Sequence, residues 1–217
     1  MNQILCSSGS LIGRPNGRNY RLLPGFYDRL RCDGIEFMMY DSWYGEAKTL
    51  ADFLRGTGIL FPVMHCEKKI GAGISIGGAQ NEREALRRFA VNCEIAEAIG
   101  AGKMVLHLWD GEPSDQNFAN NLRMYGELAK RAHDSGIDLL VENVVCNREE
   151  PMKHWSELAE RYPDVHFVFD TKMAAFHGQE EWLYREEYEW LWRDGHIRHY
   201  HVNDYDGGYM DWARLVQ

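Results

Sequence analysis

The groups best suited to chemistry in this sequence are acids and imidazoles set inside apolar, β-branched runs. Glu142 sits in Leu139-Leu140-Val141-Glu142-Asn143-Val144-Val145. Such a run reads as a strand buried on both faces. An ionised carboxylate there is costly unless a cation or several donors meet it. Two later runs repeat the design. Val165-His166-Phe167-Val168-Phe169-Asp170 and Ile197-Arg198-His199-Tyr200-His201-Val202-Asn203-Asp204 each begin apolar or aromatic and carry a ligand-type side chain near their C-terminal ends. His65, in Ile59 to Glu67, and His107, in Lys103 to Trp109, occupy matching places in two earlier runs. Alternate side chains of a strand share a face. Glu67 is therefore expected to point the way His65 points, and His199 to share the face of His201 as a partner for it.

Carboxylates and imidazoles converging in a cavity form a divalent-metal site by ligand type, suited to Mn²⁺, Zn²⁺, Co²⁺ or Mg²⁺. Glu142, Asp170 and His201 are assigned as metal ligands, with Glu142 also the catalytic group. His65, His107, Lys68 and Trp109 are assigned to the substrate. A bland reading exists for each residue: Asp170, before Thr171, also fits a helix N-cap, and Glu142 could pair with a buried Lys or Arg. One bound cation, however, accounts for all five polar strand ends together.

Placing those residues requires the chain to alternate strand and helix. Strands are expected at residues 3–8, 34–40, 59–67, 103–109, 139–145, 165–170 and 197–204. Helices are expected at 24–31, 46–55, 81–99, 115–135, 151–161 and 179–192. The glycine-rich stretch 68–78 reads as a mobile loop, a lid over a site, because it lacks the spacing of a phosphate loop. A repeat of about thirty residues matches the βαβ unit and implies a parallel sheet. An open sheet would spread the five polar strand ends along a line, whereas a closed (β/α)₈ barrel gathers them at one mouth. The fold class is therefore an α/β TIM barrel.

At 217 residues and 45% hydrophobic content, the chain fits a single domain with a real core. The net charge of −9 repels nucleic-acid backbone. No stretch is apolar and long enough to span a bilayer, and the N-terminus lacks a secretory pattern. Five cysteines with no Cys-x-x-Cys read as reduced thiols of a cytoplasmic protein.

The sequence resembles the xylose-isomerase-like barrels, which include sugar and sugar-phosphate isomerases and epimerases and, as a DNA-repair relative, endonuclease IV. The resemblance rests on Asp33-Gly34-Ile35-Glu36, Val105-Leu106-His107, Leu140-Val141-Glu142-Asn143, Phe169-Asp170-Thr171 and His199-Tyr200-His201-Val202-Asn203-Asp204. It implies that Glu142, Asp170 and His201 bind metal and that His65 and His107 stand at the third and fourth strand ends. Two departures stand out. Met173 replaces a histidine often found three residues after the strand-six Asp. No eighth strand with its further Glu is expected before Gln217, so the natural chain is expected to continue.

The resemblance implies a divalent-metal-dependent sugar isomerase or epimerase that acts by proton transfer next to a carbonyl on a small-molecule sugar or sugar phosphate. The alternatives are a phosphodiesterase on abasic DNA and a non-catalytic sugar-binding barrel. The Trp-rich segment with Trp182, Trp190 and Trp192 is where a homo-oligomer contact would form, though ordinary packing of a helix on the barrel wall is the better reading of it.

Overall fold

The computed structural model describes residues 3–203. Its strands are β1 (Leu5–Ser7), β2 (Gly34–Met38), β3 (Val63–His65), β4 (Lys103–Leu106), β5 (Asp138–Glu142), β6 (His166–Asp170) and β7 (Ile197–His201). They form one parallel sheet in the order β1 to β7. Its α-helices are α1 (Ser8–Leu11), α2 (Leu23–Tyr27), α3 (Ala47–Gly56), α4 (Lys69–Ile76), α5 (Ala79–Ile99), α6 (Phe118–Asp134), α7 (Pro151–Arg161), α8 (Thr171–Phe176) and α9 (Trp190–Arg193).

The sheet curls into a TIM-barrel arc. His199 of β7 lies 2.8 Å from Glu36 of β2, although the two strands are not neighbours in the sheet. The expected eighth strand and Asp204 fall outside the described residues. Among the described residues, no helix is long and apolar enough to cross a membrane.

Strand alternation positions the site. Val63, Val105, Leu140 and Val168 form a small buried cluster, distinct from the main core that lies between sheet and helices. Two residues further along each strand, on the same face, stand His65, His107, Glu142 and Asp170. An apolar floor inside the barrel thus carries a polar layer at the C-terminal strand ends. The intervening residues, among them Met64, Leu106, Val141 and Phe169, turn outward into the main core.

Three expectations are corrected. The stretch 68–78 is no mobile loop: residues 69–76 form α4. A Cβ on Gly71 would fall on the carbonyl oxygen of His107. The glycine lets the helix press against the chain leaving β4, so its role is close packing rather than mobility. The segment 179–192 is not one helix but two 3₁₀ turns (Trp182–Tyr184 and Glu186–Tyr188) followed by α9. Here Trp182 stacks on Tyr188 with ring centroids 5.4 Å apart. Residues six apart lie on different faces of a continuous α-helix, so this pairing requires the break.

Glu67, finally, does not follow His65 inward. β3 ends at His65, and the carboxylate of Glu67 meets Arg88 Nη1 at 2.9 Å and the N–H of Lys69. Smaller differences are that α5 begins earlier than expected and α6 later, at Phe118.

Candidate functional site

Glu142 is 2% exposed and stands at the centre of the polar layer. Its Oε2 lies 2.9 Å from His107 Nε2 and 3.2 Å from His65 Nε2, and its Oε1 lies 3.1 Å from His201 Nδ1. Asp170 Oδ2 is 3.5 Å from the same His201 nitrogen. The other oxygen of Asp170 accepts the Met173 N–H at 2.9 Å and caps α8. The cap and the site role are therefore both present, one oxygen to each. Asn143 clamps the end of β6: its Oδ1 accepts the Asp170 N–H, and its Nδ2 donates to the Asp170 carbonyl. The two polar residues of the β5 run therefore divide their work, Glu142 facing the cavity and Asn143 fixing the neighbouring strand.

The three imidazoles are each held from behind. His65 Nδ1 donates to the Cys66 carbonyl at 2.8 Å, His107 Nδ1 to Asp110 Oδ2 at 2.7 Å, and His201 Nε2 to Glu36 Oε2 at 3.1 Å. Each acceptor carries no proton of its own, so each outer nitrogen carries one. The inner nitrogens all face carboxylate oxygens. Ligand atoms of Glu142, Asp170 and His201 lie within 4.8 Å of one another, as do those of His65, His107 and Glu142 and those of Glu36, His199 and His201.

The charges are strongly coupled. Burial alone would raise the Glu142 carboxyl, but His201 and His107 hold it well below the usual carboxylate range. Glu36 behaves in the same way: burial opposes its ionisation, and His201 and His199 outweigh it. Burial disfavours the charged form of His201 and of His107, yet Glu142 with Glu36, and Glu142 with Asp110, push the two imidazoles up. His65 goes down, chiefly through burial and with help from His107, against the pull of Glu142. A neutral His65 whose Nδ1 proton is already given to Cys66 has only a lone pair at Nε2. That lone pair faces Glu142 Oε2 at 3.2 Å, acceptor against acceptor. A cation among these atoms would remove the conflict, and the mixed nitrogen and oxygen donors suit a divalent ion.

Of the residues assigned to the substrate, His65, His107 and Lys68 line a cavity of about 1230 Å³ that also opens onto Glu36, Glu142, Asp170 and His201. Lys68 is close enough to Asp110 to help His107 hold that carboxyl low, against burial. Trp109 is not brought to the cavity. It is fully buried, its Nε1 donates to the Val144 carbonyl, and its ring packs against Phe118 and His154. β4 ends at Leu106, so strand alternation no longer predicts where Trp109 points. His177, a conceivable replacement for the histidine missing at Met173, turns instead to Glu150 and the Cys146 N–H.

Sequence reasoning gave no role to Glu36 or Asp110. Glu36 had a signal of the same kind as Glu142, one acid between Ile35 and Phe37 in an apolar strand. Asp110 had none, because it lies past the strand in irregular chain.

In comparisons with known proteins, the family model described as xylose isomerase-like TIM barrel matches residues 28–212. No curated protein matches. Among solved structures, a D-tagatose 3-epimerase-like protein superposes with a TM-score of 0.68 at 17% identity, covering 95% of this chain and 78% of its own. The 3-keto-D-glucoside 4-epimerase YcjR from E. coli gives 0.62 at 13% identity, covering 100% and 86%. The TTHB071 protein of Thermus thermophilus, soaked with zinc chloride, gives 0.61 at 22% identity, covering 88% and 76%. At these identities the structural likeness establishes the fold, and the family model extends over most of the sequence. The chain belongs to the xylose isomerase-like TIM-barrel family.

Proposed function

We propose that this protein is a divalent-metal-dependent sugar isomerase or epimerase. The observation that carries the reading is the convergence of inner imidazole nitrogens on Glu142, each ring having already given its outer proton to a separate acceptor. Glu142, Asp170 and His201 would hold the ion, and His65 and His107 line the same cavity. A bound ion would supply Lewis acidity to a sugar carbonyl and its neighbouring hydroxyl.

Glu142 would take the proton from the carbon next to that carbonyl. Its carboxyl, held low by the imidazoles, is in the base form at neutral pH. Lys68 and the polar rim of the cavity would orient the hydroxyls. The sugar class is supported by family membership and by structures of the same fold named as a D-tagatose 3-epimerase-like protein and a 3-keto-D-glucoside 4-epimerase. The net charge of −9 weighs against nucleic acid as substrate.

The test is solvent deuterium exchange into a panel of aldoses, ketoses and their phosphates with the Mn²⁺-loaded protein. Exchange at the carbon beside the carbonyl, abolished in Glu142→Gln, is expected. Metal-loaded protein that exchanges no proton with any sugar overturns the reading.

A further inference from the structure

We infer that Glu36 is a positioning residue that decides which nitrogen of His201 faces the ion. The inference rests on the metal reading above. One oxygen of Glu36, Oε2, accepts from two imidazoles at once, His199 Nε2 at 2.8 Å and His201 Nε2 at 3.1 Å. The carboxylate is buried and comes from β2, while both rings come from β7. Since a carboxylate only accepts, His201 carries a proton on Nε2, while its Nδ1 faces Glu142 Oε1 and Asp170 Oδ2, where a bound ion would take the place of the second proton.

His65 and His107 are wired the opposite way. They give away Nδ1–H, to Cys66 and to Asp110, and turn Nε2 inward. The site thus presents two Nε2 donors and one Nδ1 donor. Among the described residues Glu36 is the acceptor that meets His201 Nε2, so it is the group that holds the ring with Nδ1 inward. A half-turn of the ring about Cβ–Cγ would put Cδ2 where Nδ1 now stands and remove the ligand. The second hydrogen bond, from His199, holds the carboxylate itself in place. Carboxylates behind metal-bound imidazoles typically contribute 10–100-fold in ion affinity.

The experiment uses Zn²⁺ as the probe. Affinity is read by competition with a chromophoric chelator, the ligating nitrogen by long-range ¹H–¹⁵N NMR on histidine-labelled protein, and folding by thermal melting. The wild type is expected to show zinc on Nδ1 of His201 and a proton on Nε2. Glu36→Gln keeps an acceptor without its charge, and zinc affinity should fall about tenfold with Nδ1 still bound. Glu36→Leu removes the acceptor, and affinity should fall about 100-fold, with the His201 signals broadened or switched.

A structural role would lower the melting temperature and leave the affinity of the folded protein unchanged. Should the Leu variant fail to fold, the Gln variant still decides. Zinc on Nε2 of His201 in the wild type, or unchanged affinity in the folded Glu36 variants, overturns this inference alone. Wild-type protein that takes up no divalent ion overturns the metal reading and this inference together.

Discussion

Two buried carboxylates in this molecule look alike in burial and composition but are used for different ends. Glu142 and Asp115 are each 2% exposed, and each lies beside histidine. Asp115 is met by the backbone: its oxygens accept the N–H groups of Asn147, Arg148 and Glu149, and His154 Nε2 closes the set at 3.0 Å. Beside it Ser114 takes a left-handed backbone at φ +41°, a cost a serine bears only where its surroundings hold it, and its hydroxyl donates to the Val145 carbonyl. Every lone pair there has a fixed proton to face, and the result is a rivet joining the chain after β4 to the chain after β5. Cys146 completes a ligand-like trio with Asp115 and His154, yet an ion would have to displace those N–H groups. Among the described residues, Glu142 receives no backbone donor. Its partners are three imidazole nitrogens whose protons come and go. A buried carboxylate satisfied by N–H groups builds structure, and one surrounded by titratable nitrogens fits the proposed cation site.

The sharpest way to break this comparison is to replace each carboxylate and measure both stability and ion binding. In Glu142→Gln, Mn²⁺ or Zn²⁺ uptake in calorimetry should disappear. With ion and base both lost, the proposed isomerase activity should be abolished, a fall of more than the roughly 10²–10⁴-fold that loss of a general base alone brings. The melting temperature of the metal-free protein should hardly move. A Glu142→Gln variant that still binds the ion at wild-type affinity would put Glu142 in the same class as Asp115.

Asp115→Ala should do the reverse. It leaves the buried His154 imidazole and the N–H groups of the exposed residues 147–149 without their acceptor, a loss of about 3 kcal/mol, most of it at His154. For a chain of this length that corresponds to about 6–12 °C in melting temperature. Divalent ion uptake by the folded variant should persist.

Acid titration sharpens the same contrast. Burial alone would raise the Asp115 carboxyl, but His154 and the three N–H groups hold it below the ordinary value. The folded chain therefore takes up this proton less readily than the unfolded chain. The stabilisation is complete above about pH 4 and is lost as pH falls through the lowered folded value. Denaturation followed from pH 7 down to pH 2 should show this acid-side loss, and Asp115→Asn should flatten it.

The contrast also separates what could be read from the sequence from what could not. That Glu142, Asp170 and His201 face one cavity was legible because each stands in a strand whose alternation carries direction: two residues beyond Leu140 or Val168 the chain faces the same cavity. The barrel was legible for a related reason, since only a curled sheet brings those strand ends together. Asp115 was not legible. It sits in irregular chain, and its donors are backbone groups of residues 147–149, which have no sequence signature. Gly71 was misread for a similar reason. Glycine is needed both where chain is mobile and where backbones nearly touch, and only the position of the His107 carbonyl tells these apart.

Gly71→Ala tests that distinction. The new methyl would meet backbone that cannot swing aside, so stability should fall by about 1–3 kcal/mol, as in overpacked cores. The damage should reach ion affinity as well, because the carbonyl it pushes belongs to His107. A freely tolerated alanine would restore the picture of a mobile loop.

The smallest effect concerns Trp109, which lies between the two regions. It stands two residues after His107, yet its ring centroid is 5.4 Å from that of His154, and its N–H is spent on the Val144 carbonyl. If it belongs to the rivet, Trp109→Phe loses one hydrogen bond and some packing, about 1 kcal/mol of stability, and KM for the sugar stays unchanged. If the ring reaches the substrate, KM should rise while the melting temperature holds, because sugars stack on exposed aromatic faces and the lost indole would be missed at the cavity. The two outcomes move different observables. Melting and Michaelis curves for this one variant therefore locate the boundary between the chemistry of the mouth and the scaffold that holds it.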